Sequence, residues 1–301
     1  MATIELSAPP ATAPLFVKAA LSGLPWARRS QQLPDTALVL PGYAVDRDHL
    51  AAYARVCGFA LSDRLPVTYP HVLGFGLALR LITGQDFPFP ALGLVHIGNR
   101  ITAHRAICAD ELLTLRVRAT ALGAHPRGTQ FVVITDALVD GAPVWFEQST
   151  YLRRNGQEQR RSEGHAAAEP PEPTAVWRLA EDVGRRYAAV SGDCNPIHLH
   201  RLIARLFGFP RAIAHGMYTM ARFLAALGPR LPRAYTVDVR FGRPALLPST
   251  VQVSLMAATG NSWNVAVHNP DGRPHLAGTI SPNECRDPGA RDRSTRCPST
   301  D

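Results

Sequence analysis

The sequence predicts an α+β fold built from two similar units, each an antiparallel sheet wrapped around a central helix. Three observations predict it. The 301 residues suffice for two cores of ordinary domain size. Residues 160–173, RRSEGHAAAEPPEP, combine charge, small residues and prolines with no periodic apolar face, which reads as a linker. On each side of that linker, one strongly apolar helix precedes about four strand-like runs.

The units are taken as 1–159 and 174–281, with a tail at 282–301 whose composition predicts disorder. In the first unit, residues 71–83 read HVLGFGLALRLIT, too continuously apolar for a surface helix. Gly74 and Gly76 each cost such a helix about 1 kcal/mol relative to Ala, a cost that fits close approach of a neighbouring chain. Strand-like runs follow at 92–101, 111–120, 129–139 and 143–152, divided by Gly, Pro or Asp turns. The second unit repeats the order, with a helix at 216–227 and strands at 234–241, 250–258, 262–268 and 275–280. HIGNRITAHRAICADELLTLRVRA can be laid against YTVDVRFGRPALLPSTVQVSLMA, strand against strand, although the letters alone do not prove duplication.

Hydrophobic residues make up 46% and charged residues 19%, a balance that suits a globular protein rather than a disordered one. The net charge of +8 comes from scattered arginines with Lys18 as the one lysine, so it argues against a nucleic-acid-binding patch. The five cysteines, at 57, 108, 194, 285 and 297, form no CxxC pair and are too sparse for a disulfide scaffold. A reducing, cytoplasmic setting is therefore expected, with no export signal and no apolar stretch of the roughly 18 residues that a membrane span needs.

The chemistry concentrates in residues 187–216, YAAVSGDCNPIHLHRLIARLFGFPRAIAHG. A short helix over 181–190 ends at Ser191-Gly192, after which Asp193, Asn195 and Pro196 impose a turn. Asp193 and His198 are five residues apart, a spacing that a compact loop converts into two polar groups facing one water. A carboxylate and an imidazole on one water supply what hydration of a conjugated thioester requires, one group removing a proton and the other delivering one. Residue types alone also permit blander roles: an Asx-turn for Asp193 and a satisfied loop histidine for His198. Asn195 suits ordering of the loop, and His215 suits a structural or capping role. Gly216 starts the second apolar helix, where unpaired amides can face a ligand oxygen, or it serves merely as a close-packing glycine.

The run YAAVSGDCNPIH, from Tyr187 to His198, resembles the hydratase-2 signature of the MaoC-like dehydratases and (R)-specific enoyl-CoA hydratases. GFPRAIAHGM resembles their connection into the central helix. The resemblance implies a double hot-dog fold, Asp193 and His198 as the catalytic pair, loop ordering by Asn195, and a Gly216 amide in the oxyanion hole. It implies reversible hydration of trans-2-enoyl thioesters to (3R)-hydroxyacyl thioesters, with CoA or acyl-carrier protein as part of the substrate. No separate cofactor or metal is expected, and no HExxH or GxGxxG motif is present.

The first unit departs from this pattern. It has SDRLPVTYPHVLGF where an aspartate-to-histidine loop belongs, so one site per chain is expected. Leu73, Phe75, Leu77, Leu79 and Leu81 become candidates to line or support an acyl channel, against the alternative that all five pack the core. Tyr69, His71 and His96 are conspicuous, but no partner spacing fixes a reaction for them and core or loop roles are expected. Two other functions compete: a thioesterase of the same fold, and a noncatalytic acyl-thioester-binding or assembly subunit. Two fused units allow a monomeric pseudo-dimer, and free sheet edges allow a homodimer.

Overall fold

The computed structural model describes residues 1–21, 30–155 and 170–283. Residues 160–169 of the expected linker and 284–301 of the expected tail lie outside the described residues. The described residues form a mixed α+β fold around one large sheet. In chain order the elements are β1 (Ala2–Glu5), α1 (Thr12–Leu21), β2 (Thr36–Tyr43), α2 (Arg47–Cys57), α3 (Tyr69–Ile82) and β3 (Leu94–Ala103). Next come β4 (Leu113–His125), β5 (Gly128–Val139), β6 (Ala142–Arg154), β7 (Ala175–Leu179), α4 (Val183–Ser191), α5 (Pro196–Leu199) and α6 (Arg201–Leu206). The chain closes with α7 (Gly216–Leu227), β8 (Tyr235–Phe241), β9 (Ser249–Ala258), β10 (Ser262–His268) and β11 (Pro274–Pro282).

The strands that the sequence divides between two antiparallel sheets are hydrogen-bonded into one. One eleven-stranded sheet runs β1-β2-β4-β5-β6-β3-β8-β11-β10-β9-β7, and its β1–β2 edge pair is parallel. The seam is the antiparallel pair β3–β8, in register from Gly98↔Arg240 to Ala103↔Tyr235. These are the first strands of the two segments that align in the sequence. At the seam, Thr102 and Thr236 share a hydroxyl hydrogen bond of 3.0 Å, and Arg100 pairs with Asp238 at 3.0 Å. Both members of the ion pair are about half exposed, so continuity of the ladder rather than this pair joins the halves.

Strand alternation explains which face is inside. On β4, Leu113, Leu115 and Val117 are fully buried, while Arg116 and Arg118 on the other face both reach Asp136 of β5. The β5–β6 turn is Asp140-Gly141, both with positive φ, as a two-residue hairpin loop demands. Helix α3 lies within the first half of the sheet with eleven buried residues. Its glycines do what their cost suggests: a Cβ on Gly74 would lie 2.8 Å from Thr135, and one on Gly76 would lie 2.7 Å from the Pro10 carbonyl. Helix α7 is the corresponding buried helix of the second half, over the residues read from the sequence.

Four elements before residue 60 were not anticipated, and α1 matters most. Phe16 stacks on Phe75 of α3 at 6.4 Å between centroids, so α1 covers one side of the cavity described below. Cys57 and Cys194 carry free thiols. Among the described residues, no helix is long and apolar enough to cross a membrane.

Candidate active site

The segment after α4 is folded by a chain of local contacts. Gly192 ends α4 at φ +71, the left-handed conformation that glycine adopts without a Cβ penalty, and its amide donates to the Ala188 carbonyl. The Asp193 amide then donates to Ser191 Oγ at 3.2 Å. Asp193 Oδ1 accepts the Asn195 amide at 3.2 Å, and Asn195 Oδ1 in turn accepts the Ile197 amide at 3.4 Å, capping α5. One carboxylate oxygen of Asp193 therefore makes the Asx-turn, while Oδ2 lies 3.7 Å from His215 Nε2.

His198 sits on α5, which packs tightly on α4. A Cβ on Gly184 would lie 2.0 Å from the His198 carbonyl, so only glycine permits this approach. His198 Nδ1 is 2.8 Å from the Ile213 carbonyl and donates to it, which leaves Nε2 with a free lone pair. Ile213 is itself held, its amide donating to Ile197 and its strand bridging to Leu246. Burial lowers the His198 pKa against the opposing pull of the Asp193 charge and the Ile213 carbonyl.

His215 occupies the N-cap position of α7 but makes no side-chain cap bond, which corrects the capping role allowed by the sequence. Its Nε2 donates to the Asp193 backbone carbonyl at 3.0 Å, and its ring stacks on His198 with centroids 3.6 Å apart. Burial, reinforced by His198, pushes its pKa well below the ordinary histidine value. Tyr187, the first residue of the motif, packs its ring 4.9 Å from His215.

Asp193, His198 and His215 thus place ligand-type atoms within 4.8 Å of one another. A metal–imidazole bond lies in the ring plane, and the two rings are stacked at 25° to each other, so their lone pairs do not converge well on one ion. Gly216 begins α7, whose backbone ladder opens with the Thr219 amide on the His215 carbonyl at 3.3 Å. The amides before it lie outside that ladder. A Cβ on Gly216 would lie 2.7 Å from the Phe241 ring, so this residue is also a close-packing glycine.

These groups open onto a cavity of about 280 Å³. One wall comes from α3, where Phe75 and Leu79 line it together with Ala78 and Ile82. Leu73, Leu77 and Leu81 do not line it; they are buried in the core, the plainer of the roles read for them. Residues 71, 75, 78, 79 and 82 follow helical spacing along one face, whereas 73, 77 and 81 occupy another.

The first half also places His71 and His96 on the cavity wall. His71 Nδ1 pairs with buried Glu147 at 2.8 Å, a partner 76 residues away that short-range spacing could not reveal. A readable signal existed nonetheless. Glu147 shares strand parity with Trp145 and Ser149, and all three are nearly inaccessible, so a carboxylate occupies an inward position of β6. Tyr69 lies elsewhere in a buried polar cluster, its hydroxyl 2.8 Å from His49 Nδ1.

Residues 160–269 match a family model described as the MaoC like domain. Over 273 residues the chain is 38% identical to 3-hydroxyacyl-thioester dehydratase X of Mycobacterium tuberculosis, covering 88% of this chain and 96% of that protein. The chain belongs to the MaoC-like dehydratase family. In particular, it is similar to the crystal structure of HtdX from Mycobacterium tuberculosis, with a TM-score of 0.74 and 37% identity over 82% of this chain and all of that one. A MaoC-like dehydratase from Phytophthora capsici shares the fold at 18% identity, with a TM-score of 0.65 over 83% of this chain and 94% of that one.

Proposed function

We propose that the chain is a hydratase/dehydratase that interconverts trans-2-enoyl and (3R)-hydroxyacyl thioesters, with Asp193 and His198 as its catalytic pair. The observation that carries the reading is the convergence of Asp193 Oδ2, the free Nε2 of His198 and the start of α7 on one cavity. A water held between the two side chains adds its oxygen to C3 as His198 Nε2 takes the proton. The proton passes through the adjoining Asp193 carboxylate to C2, so H and OH of one water are added and both side chains return to their starting states. As the C2 carbanion forms, the thioester oxygen gains enolate charge, and the Gly216 amide donates to it more strongly than in the ground state. Asn195 holds Asp193 in place through the loop.

The two halves, taken as 1–159 and 174–281, act as a double hot-dog in which the first half supplies acyl-binding surface and the second the proton chemistry. The β3–β8 seam supports a monomeric pseudo-dimer. The short edge strands β1 and β7 offer the alternative route to a homodimer. CoA or carrier-protein thioesters are the substrates of this reading, with a cytoplasmic setting as part of it.

A product-resolved assay with matched enoyl-CoA and (3R)-hydroxyacyl-CoA tests it. Interconversion without release of free thiol is expected, with the 3R alcohol as the hydration product. Free CoA and fatty acid would establish a thioesterase instead, a 3S product would refute the facial arrangement, and binding without turnover would leave an acyl-thioester carrier.

A further inference from the structure

We infer that the segment from α6 to Arg211 is a docking surface for an acidic carrier protein, which delivers the acyl thioester into the adjoining cavity. The inference rests on the thioester reading above and chooses between its two substrate forms.

A helix on a protein surface normally turns its apolar stripe inward. Helix α6 does the reverse. Ala204 is fully buried, and Leu202 and Leu206 stand two positions to either side of it, about 200° round the helix. Leu202 is 57% exposed, Leu206 84%, and Phe207 at the end of the helix 40%. Single exposed hydrophobics are ordinary, but a cluster of them marks a binding surface.

The patch is held in shape. The Phe209 amide donates to the Ala204 carbonyl and the Gly208 amide to the Arg205 carbonyl, both at 3.0 Å, with Gly208 left-handed at φ +83. Arg205 Nε donates to the Pro210 carbonyl at 3.3 Å and closes the same turn. A surface fixed in this way loses little freedom when a partner docks. It also leads inward, because Phe207 and Phe209 line the cavity that holds Asp193 and His198.

Charge selects the partner. The arginines of this chain are scattered but its acids are not: no acidic residue occurs from Cys194 to Val237. Arg201 and Arg205 lie one helical turn apart beside the leucines, and Arg211 follows the turn. Among the described residues, none of the three has an ion-pair partner. Arg243 is exposed and also lines the cavity, which extends the positive field to the entrance. An acidic protein surface is the complement of this face.

Other occupants match only part of it. The phosphates of CoA or of a nucleic acid would use the arginines but leave Leu202 and Leu206 in water. A second copy of the chain would bring the same arginines against one another across a twofold contact. An anionic lipid surface would meet both charges and leucines, yet it has nothing to place in the cavity beyond Phe207. A carrier protein covers the patch and sends its thioester arm into that cavity. The small area suits a partner that has to leave after each turnover.

The test presents one saturated dodecanoyl group on an acidic acyl-carrier protein, on CoA and on pantetheine, with Kd measured by calorimetry on the full chain. The carrier form is expected to bind at least about tenfold more tightly than the pantetheine form, and to lose most of that advantage at high salt. Arg201→Glu and Leu206→Ser alter exposed side chains that do not line the cavity. Each should weaken the carrier form by about tenfold and leave the pantetheine form within about twofold of its original Kd. Equal Kd values for the carrier and pantetheine forms would overturn the proposal without any variant. Weaker CoA binding in Arg201→Glu, with carrier binding unchanged in Leu206→Ser, would assign the arginines to nucleotide phosphates and overturn it. Sedimentation with phosphatidylglycerol vesicles that Leu206→Ser abolishes, while carrier binding stays intact, would assign the patch to lipid and also overturn it. Because the readout is binding, a carrier preference in a protein that fails to hydrate enoyl thioesters would refute the hydratase reading and leave the docking surface standing.

Discussion

His198 and His215 stack with ring centroids 3.6 Å apart, and the second ring also holds the Asp193 main chain through Nε2. One buried imidazole thereby fixes the distance between the two groups proposed to handle the water. His215→Phe keeps a ring in the stack but loses the 3.0 Å bond to the Asp193 carbonyl. Its kcat should fall roughly tenfold with little change in KM, because the bond positions chemistry rather than substrate. Unchanged steady-state turnover in a folded variant would show that the stack alone suffices.

The proton-transfer roles lead to a larger effect. Asp193→Asn and His198→Gln retain size and hydrogen bonding but remove proton capacity, so each should lower kcat by about 10²–10⁴. Circular dichroism and melting checks separate this from unfolding. Turnover near the wild-type value in either variant would remove that residue from the mechanism.

The pH profile follows from the burial of His198. Its folded pKa is lowered, so the neutral base with a free Nε2 survives below the ordinary value of about 6.5. The acid limb of kcat/KM should therefore fall below pH ~6.5. Stability shares the sign: His96, His198 and His215 are all lowered in the fold, so below that pH the unfolded chain binds more protons. Their contribution is present above the unfolded pKa and is lost as pH falls through the folded values. Thermal melts between pH 8 and pH 4 should show Tm declining on the acid side; an acid limb centred above pH 7 would contradict the assignment to His198.

Much of this architecture was legible because local signals and tertiary structure agree. Alternation put Leu113, Leu115 and Val117 inside, and the Asp140-Gly141 hairpin and the glycine-bearing α3 declared themselves. The elements before residue 60 were harder. Strand β2 contains Pro41-Gly42 at a break in its register with β4, which interrupts the alternation that identifies a strand. Helix α2 had readable ends, with Asp46 accepting the Asp48 and His49 amides and Gly58 in the left-handed conformation, but no chemistry drew attention to them. Continuity across β3–β8 was not legible, since no single-strand pattern names its partner. At the site, Asp193, Asn195 and His198 share one short loop and were visible together. His215 and Glu147 act through atoms 22 and 76 residues away in sequence from their partners, and such pairings exist only once the chain has folded.

The cavity predicts substrate length, because the α3 face that lines it is apolar from Phe75 onward. Phe75, Ala78, Leu79 and Ile82 line that wall, and Phe16 of α1 closes over it. Each methylene buried there stabilises the bound acyl chain, and the transition state with it, by up to about 0.8 kcal/mol. The kcat/KM for trans-2-enoyl-CoA should therefore rise from four to eight or twelve carbons, measured below the micelle concentration of each. A plain length preference could also arise from weak contacts with any apolar surface, so the wall itself must be altered. Ala78→Phe adds a ring on the lining face of α3, where Ala78 is 8% exposed and a larger side chain has the cavity as its outlet. The variant should lose use of twelve carbons by more than tenfold relative to four, since the added ring takes up cavity space that the longer chain has more need of. A steep decline from four to eight carbons in the wild-type enzyme would sink the open-channel reading. An unchanged twelve-to-four ratio in Ala78→Phe would move the acyl chain to another wall and leave the Asp193–His198 chemistry untouched.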